Sequence, residues 1–299
     1  MGDKERIGFI GAGLMGRGMA LNLIKAGFPV TVHVHRNREG IDELIAMGAK
    51  ETRDLQCLAE SSDVVVMCLS NADTVRAVIE GLLPGLRLNH LVIDATTSNP
   101  DVTLEIAEML AARGVRYADA PVTGGPRDSE AGKLGSLVGC REEDFERVRN
   151  VVSTYSKVVQ RIGGVGTGHR AKLLNNFVTQ GTGALLAEAY CRARDTGVDW
   201  HALYSVMEAG AARSGTLEKM VKPALDGNYD GSRFSLRNAL KDYTYFCETA
   251  DKSARGPSKL GQQVREILKE AVDAGFGDRY VSALLDPDLD RVKKRESQT

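Results

Sequence analysis

IGFIGAGLMGRGMALNLIKAG, running from Ile7 to Gly27, is the stretch on which the fold turns. Its first residues form a short apolar run that stops at glycines. Leu14, Met15, Met19, Leu21 and Leu23 then recur at roughly helical spacing, with Gly27 as a C-terminal stop. Between the two lies Gly11-Ala12-Gly13-Leu14-Met15-Gly16, a G-x-G-x-x-G match that closes a predicted strand and opens a predicted helix. In that setting each glycine has a task. Gly11 permits the tight turn, Gly13 lets a pyrophosphate approach the backbone, and Gly16 lets helix and strand pack closely. The helix N-terminus offers free N–H groups and the positive end of its dipole, so the motif reads as a dinucleotide site.

The same rhythm continues outward. PVTVHVH is β-branched and alternating, IDELIAMGA is a short helix ended by Gly48, and DVVVMCLS is a continuous apolar run suited to a buried parallel strand. TVRAVIEGLLPG, HLVIDATT, DVTLEIAEMLAARG and VRYADAPV follow as helix, strand, helix and strand. This βαβ succession implies a doubly wound parallel sheet with helices on both faces, a Rossmann-type α/β domain. After about residue 166 the texture changes. KLLNNFVTQGTGALLAEAYCRARDTG is one long helical pattern, interrupted in propensity by Gly181 and Gly183, and from Trp200 onward only helical periods are evident. The expected organisation is a nucleotide-binding domain over residues 1–165, a connecting helix over 166–196 and an all-α C-terminal domain over 197–299.

Composition narrows the function. The 39 Lys and Arg balance 40 Asp and Glu, so no excess of positive charge is available to hold a phosphate backbone, and nucleic acid is not expected as a partner. Five cysteines, at 57, 68, 140, 191 and 247, form no C-x-x-C pair, which argues against a disulfide framework or a structural zinc. His33 and His35 share a strand face but have no third ligand nearby, so no metal is expected. The chain moves from MGDKER straight into a strand, without a signal-peptide layout, and has no apolar run of membrane-spanning length. A reduced, cytoplasmic protein with no membrane partner is the expectation.

The end of the second strand bears on the coenzyme. An acidic residue about 20 positions after the glycine motif would hold the ribose hydroxyls of NAD. Here stand His33, His35, Arg36, Asn37 and Arg38, with no carboxylate before Glu39. Arg36 suits a 2′-phosphate through a bidentate fork, which favours NADP. Alternatively Arg36 stacks on the adenine and Asn37 alone binds the ribose, which leaves NAD open.

Three more segments carry chemistry. Asp94-Ala95-Thr96-Thr97-Ser98-Asn99-Pro100 ends a buried strand, where ligands gather in open α/β sheets. In Asp119-Ala120-Pro121-Val122-Thr123-Gly124-Gly125 a hydroxyl and two glycines leave backbone N–H groups able to clasp a carboxylate. GGVGTGHRAKLLNN, Gly163 to Asn176, passes from loop to helix and sets Lys172 and Asn176 four apart on one side.

Together these segments closely resemble the β-hydroxyacid dehydrogenase family, which includes 3-hydroxyisobutyrate dehydrogenase, tartronate semialdehyde reductase and the glyoxylate/succinic semialdehyde reductases. IGFIGAGLMGRGMALNLIKAG matches its cofactor signature, DAPVTGGPRDSEAGKL its substrate signature and GVGTGHRAKLLNN its catalytic signature. KDYTYFCETA resembles a Lys-Asp element near the cofactor and GFGDRYVSALL a closing motif, so the likeness spans about Arg6 to Leu285. The resemblance implies an NAD(P)-dependent oxidoreductase that interconverts a small 3-hydroxy acid and its semialdehyde or oxo acid. It implies Lys172 as catalytic acid/base, with Asn176, Thr123, Gly124 and Gly125 on the substrate. Gly11 to Gly16, His35, Arg36, Asn37, Leu69, Ser70, Thr96 and Lys241 would lie about the coenzyme. It also implies a homodimer or homotetramer and a small anionic substrate.

Four departures stand out. Thr123 replaces a frequent Ser, Ser70 replaces a usual Pro and is expected to loosen its loop, and His35 replaces Asp or Asn. Arg127 lies in the substrate loop, either as a contact for a second anionic group or as a surface arginine opposite Asp128. A lysine is a poor base at its ordinary pKa of about 10.4. Desolvation and the positive charge of an oxidised nicotinamide would disfavour the ammonium and make it useful. Two other functions compete. In imine reductases on the same scaffold the lysine position usually holds Asp or Tyr, and a non-catalytic nucleotide-binding scaffold would be expected to lose its proton donor; Lys172 argues against both.

Overall fold

The computed structural model describes residues 4–35, 38 and 40–289. The chain divides into two compact units, Met1–Lys172 and Leu173–Thr299.

The first unit is built on a mixed sheet. Six strands, β1 (Ile7–Ile10), β2 (Val30–His33), β3 (Lys50–Thr52), β4 (Val64–Met67), β5 (Leu91–Asp94) and β6 (Arg116–Asp119), run parallel in the order β3-β2-β1-β4-β5-β6. Burial explains their composition: β1, β4 and β5 are covered on both faces, and all four residues of each are buried. The helices α1 (Gly16–Lys25), α2 (Ile41–Ala46), α3 (Leu55–Glu60), α4 (Ala72–Leu82) and α5 (Pro100–Ala111) connect them. Phe9, Met19, Leu23, Val32 and Val66 join one core, and Ile79, Leu82, Val92 and Leu110 join another. Each such side chain, fully withdrawn from water, contributes roughly 1.5–3 kcal/mol.

The doubly wound parallel arrangement expected from the sequence holds through β6, and the sheet is extended beyond it by antiparallel pairing. There the chain turns back: β7 (Val122–Thr123) and β6 both pair antiparallel with β8 (Leu134–Gly139), and β9 (Ser156–Gly163) lies parallel to β8. The physical reason is the shortness of the link. The five-residue helix α6 (Pro126–Glu130) is too brief for a crossover returning to a parallel strand, whereas an antiparallel partner needs only a compact connection. The helix α7 (Phe145–Val152) then leads to β9. The order of strands reverses between β1 and β4, and the loops after both strands lie at the carboxyl edge, where doubly wound sheets take their ligands.

The helix α8 (Thr167–Thr196) starts in the first unit and continues in the second as one unbroken run of 30 residues. Gly181 does not break it. A Cβ there would fall 2.8 Å from Tyr243 Oη, so the glycine serves close packing against that ring. Among the described residues the rest of the second unit is mainly helical, with α9 (Trp200–Ala209), α10 (Lys222–Ala224) after a π-turn, α11 (Leu236–Asp251) and α12 (Lys259–Ala271). Tyr190, Leu236, Tyr243, Leu268 and Leu285 anchor its own core. Among the described residues no helix is long and apolar enough to cross a membrane.

Candidate active site

The glycine motif follows β1. Gly11 has φ +93°, and a Cβ on it would fall 2.2 Å from Cys68 O at the end of β4, so no other residue fits this crossing. A Cβ on Gly16 would fall 2.0 Å from Gly11 O. At Gly13 the situation is reversed, because an added Cβ would meet nothing within 4 Å. The outer two glycines are thus required by the protein and the middle one leaves space for something else. Helix α1 has no side-chain cap and no acidic residue in its first turn, so the positive end of its dipole suits an anion, although the Arg17 N–H is already given to Gly13 O at 2.9 Å. Ala12 and Met15 are half-buried on the core side, while Leu14 stands 71% exposed. These residues fit a dinucleotide pyrophosphate.

The other carboxyl-edge loops gather beside this motif. Leu69 N–H donates to Thr96 Oγ1 at 3.0 Å, tying the loop after β4 to that after β5. In the loop after β4, where Ser70 stands in place of a usual proline, the Ser70 hydroxyl lies 3.2 Å from Thr74 Oγ1, and Asn71 caps α4 by accepting from Thr74 N at 2.8 Å. His35, just past β2, is exposed, and Arg38 is occupied by Asp42 and Glu51 at 2.7 and 2.9 Å. Arg36 and Asn37 lie outside the described residues. The His33 and His35 rings stack 6.4 Å apart, and burial lowers the pKa of His33.

The segment after β7 is mounted on α1. Gly124 has φ +111°, and Gly125 N–H donates to Asp128 Oδ2 at 2.9 Å, which starts α6. Asp128 is thereby engaged with the backbone, and Arg127 is exposed. Ser129 Oγ donates to Met15 O at 2.6 Å, Asn22 Nδ2 donates to Ser129 O at 2.8 Å, and Arg17 pairs with Glu130. The C-terminal end of helix α6 is therefore fastened to α1. The Thr123 hydroxyl donates to Gly135 O at 3.4 Å, an approach in which Gly135 has no substitute, since its Cβ would fall 2.6 Å from Thr123 Oγ1.

The first turn of α8 is seated on the ends of β5 and β6. Asp119 accepts from Gly166 N at 2.6 Å and His169 N at 2.7 Å, capping the helix with a carboxylate from 50 residues away. Burial pushes the Asp119 pKa up, opposed by His169 and by these backbone N–H groups. Gly168 makes this seating feasible, because a Cβ there would fall 2.4 Å from Leu137 O. The wholly buried His169 ring meets Thr96 O at 2.8 Å through Nε2 and Thr103 Oγ1 at 2.7 Å through Nδ1. Asp94 accepts from Thr96 N at 2.9 Å and from the Tyr117 hydroxyl at 3.0 Å. Lys172, half-buried, follows one turn after His169. In the second unit, Asn176 Nδ2 donates to the buried Asp242 Oδ2 at 2.6 Å. Lys241 Nζ lies 3.2 Å from Asp242 Oδ1 and 5.6 Å from the Tyr245 ring centroid.

Sequence reasoning missed His169 and Asp242. A single His in the first turn of a helix gives no periodic signal, although an Asp closing each of two buried strands hinted at a partner in the interior. Asp242 was visible only as the neighbour of Lys241.

Comparison with known proteins gives these features a family. The profile described as the NAD binding domain of 6-phosphogluconate dehydrogenase matches residues 6–164. That described as NAD-binding of NADP-dependent 3-hydroxyisobutyrate dehydrogenase matches residues 166–287. The chain is 32% identical to 2-(hydroxymethyl)glutarate dehydrogenase of Eubacterium barkeri, over 95% of each chain. The solved structure of Mycobacterium tuberculosis 3-hydroxyisobutyrate dehydrogenase with L-serine is similar at a TM-score of 0.85 and 25% identity, covering 94% of this chain and 98% of that one. An imine reductase from Pseudomonas sp. shares the fold at a TM-score of 0.61 and 20% identity, covering 94% of this chain and 98% of that one. The chain therefore belongs to the β-hydroxyacid dehydrogenase family, as an NAD(P)-dependent oxidoreductase similar to the 3-hydroxyisobutyrate dehydrogenases.

Proposed function

We propose that the protein interconverts a small 3-hydroxy acid and its semialdehyde, with Lys172 as the proton-transfer group. The observation that carries this reading is the seating of α8. Asp119 and His169 pin its first turn to the ends of β5 and β6, at the sheet edge that also bears the glycine motif, and Lys172 follows one turn later. The bound nicotinamide supplies hydride transfer. Lys172 takes the hydroxyl proton as the alcohol is oxidised. In the reverse direction it returns a proton to the developing alkoxide, whose charge the ammonium stabilises. Asn176, one turn further on, orients the substrate and is itself held by Asp242. Thr123 and the Gly124 N–H bind the carboxylate, while the Gly125 N–H, expected from the sequence to share in this, is given to Asp128 Oδ2 instead. A scan of small hydroxy acids and semialdehydes tests the assignment; turnover of cyclic imines with none of the acids would overturn it.

The coenzyme reading is NADP over NAD. The sequence has no carboxylate between His33 and Arg38, Arg38 is paired with Asp42 and Glu51, and Arg36 is the residue suited to grip a 2′-phosphate in a bidentate fork. The expected kcat/KM for NADP(H) exceeds that for NAD(H) by about tenfold or more, equivalent to about 1.4 kcal/mol. A preference for NAD(H) would overturn this.

Arg127 points to a substrate with a second anionic group. The relative that acts on 2-(hydroxymethyl)glutarate takes a dicarboxylate, and here an exposed guanidinium stands two residues after the Thr123–Gly125 clasp while Asp128 is engaged elsewhere. Arg127→Ala is expected to raise KM for a dicarboxylic hydroxy acid about tenfold, with kcat and the KM for a monocarboxylic analogue nearly unchanged. An unchanged KM for the dicarboxylate assigns Arg127 to the surface.

A further inference from the structure

The loop that would grip the substrate's acid contains an acid of its own. We propose that Asp128 is a specificity-determining residue. Its carboxylate holds one arm of the grip and selects substrates with a hydrogen-bond donor, an ammonium or a hydroxyl, on the carbon next to their acid. The proposal rests on the reading of Thr123 and the Gly124 N–H as the groups that bind the substrate carboxylate, and deepens it.

The Asp128 carboxylate lies within the grip. Its Oδ2 accepts from Gly125 N at 2.9 Å, so one of the two adjacent glycine donors is already engaged. The same oxygen lies 3.2 Å from the point where a Cβ on Gly124 would stand and 3.9 Å from that on Gly125, which sets it against the peptide joining them. Its backbone is held there. Lys133 N–H donates to Asp128 O at 2.7 Å, and the next residue, Ser129, donates through Oγ to Met15 O at 2.6 Å.

The protein does not neutralise this charge. Among the described residues no Lys or Arg forms an ion pair with Asp128, and Oδ1 accepts no hydrogen bond. Arg17 of α1 is taken up by Glu43 and Glu130, and Arg127 is exposed. A carboxylate so placed has two effects on an acid held at Gly124. The like charge disfavours it, and a donor brought to Oδ1 gains a charge-assisted hydrogen bond, about twice as strong as a neutral one. The acid therefore binds against repulsion unless the carbon beside it supplies the donor. In a 3-hydroxy acid that carbon is C2, one bond from the carboxylate and one from the reacting C3. Capping of α6 accounts for Oδ2 but not for the charge, because a neutral Asn also offers an oxygen to the Gly125 N–H.

The test uses the full-length protein with reduced coenzyme bound, a complex without a hydride acceptor, which reports binding alone. The ligands are three 3-hydroxypropanoates that differ only at C2, with a methyl, a hydroxyl or an ammonium group. Wild type is expected to bind the ammonium compound at least about tenfold more tightly than the methyl compound, with the hydroxyl compound between them. In Asp128→Asn this ratio is expected to shrink about tenfold, as the methyl compound gains affinity and the ammonium compound loses it. An unchanged ratio in Asp128→Asn would overturn the selection, and so would tighter binding of the methyl compound by wild type. Thr123→Val is expected to weaken all three about equally, since it acts on the acid they share. If it does so while the Asp128→Asn ratio stays fixed, the specificity role alone fails. If Thr123→Val changes none of them, or none binds at about 10 mM, above the usual range for substrates, the acid grip fails and the proposal with it. Should Asp128→Asn not fold, Asp128→Ser, which keeps a capping oxygen without the charge, takes its place.

Discussion

Lys172→Ala is expected to lower kcat by about 10²–10⁴, the usual worth of a positioned proton-transfer group. Coenzyme Kd should stay within about twofold, because the groups that fit the pyrophosphate belong to the Gly11–Gly16 loop and the start of α1. Fold stability should be nearly unchanged. The first turn of α8 is fixed by Asp119 and the His169 ring, both kept in the variant, and alanine is the best helix former. Steady-state kinetics with a hydroxy acid, together with coenzyme titration by nicotinamide fluorescence, measure both quantities. A variant with near-normal kcat would remove Lys172 from the mechanism, and one with a large loss of coenzyme affinity would make it a binding residue instead.

The second large effect separates two glycines of one motif. Gly16→Ala places a methyl 2.0 Å from the backbone oxygen of Gly11, a contact that only movement of the backbone can relieve. Such overpacking costs about 1–3 kcal/mol, so Tm is expected to fall by roughly 2–10 °C, and coenzyme affinity falls with it as the turn is displaced. Gly13→Ala meets open space, and Tm of the free protein should be unchanged. Its methyl would occupy the position a pyrophosphate needs, raising coenzyme Kd at least about tenfold. Thermal denaturation with and without coenzyme distinguishes the two. Equal Tm losses in both variants, or unaltered coenzyme affinity in Gly13→Ala, would contradict the division of labour.

Much of the first unit could be read in advance because its physics is local. A buried parallel strand reads as a nearly continuous apolar run, as in Val64–Met67 and residues 91–93, and a glycine such as Gly11 announces a turn by itself. What stayed hidden depends on contacts distant in sequence. The antiparallel pairing of β8 with β6 and β7 follows from the shortness of α6, not from any pattern within β8. The link between Asp119 and the start of α8 spans 47 and 50 residues, and no periodicity encodes it. Asn176 was legible as a candidate from its spacing to Lys172, whereas its partner Asp242 lies 66 residues further on. Gly181 looked like a weakness of α8 and proves to be where the Tyr243 hydroxyl comes close.

The fastening of α6 to α1 through Ser129, Asn22 and the Arg17–Glu130 pair bears on how this protein could be re-engineered. The hydroxyl and glycines that would grip an acid are carried on the same rigid block as the turn that would receive a dinucleotide. Grafting Thr123–Gly125 alone into a homologous scaffold would transfer the fingers without the wrist. A transplant of selectivity would have to move residues 15–22 and 123–130 as one module.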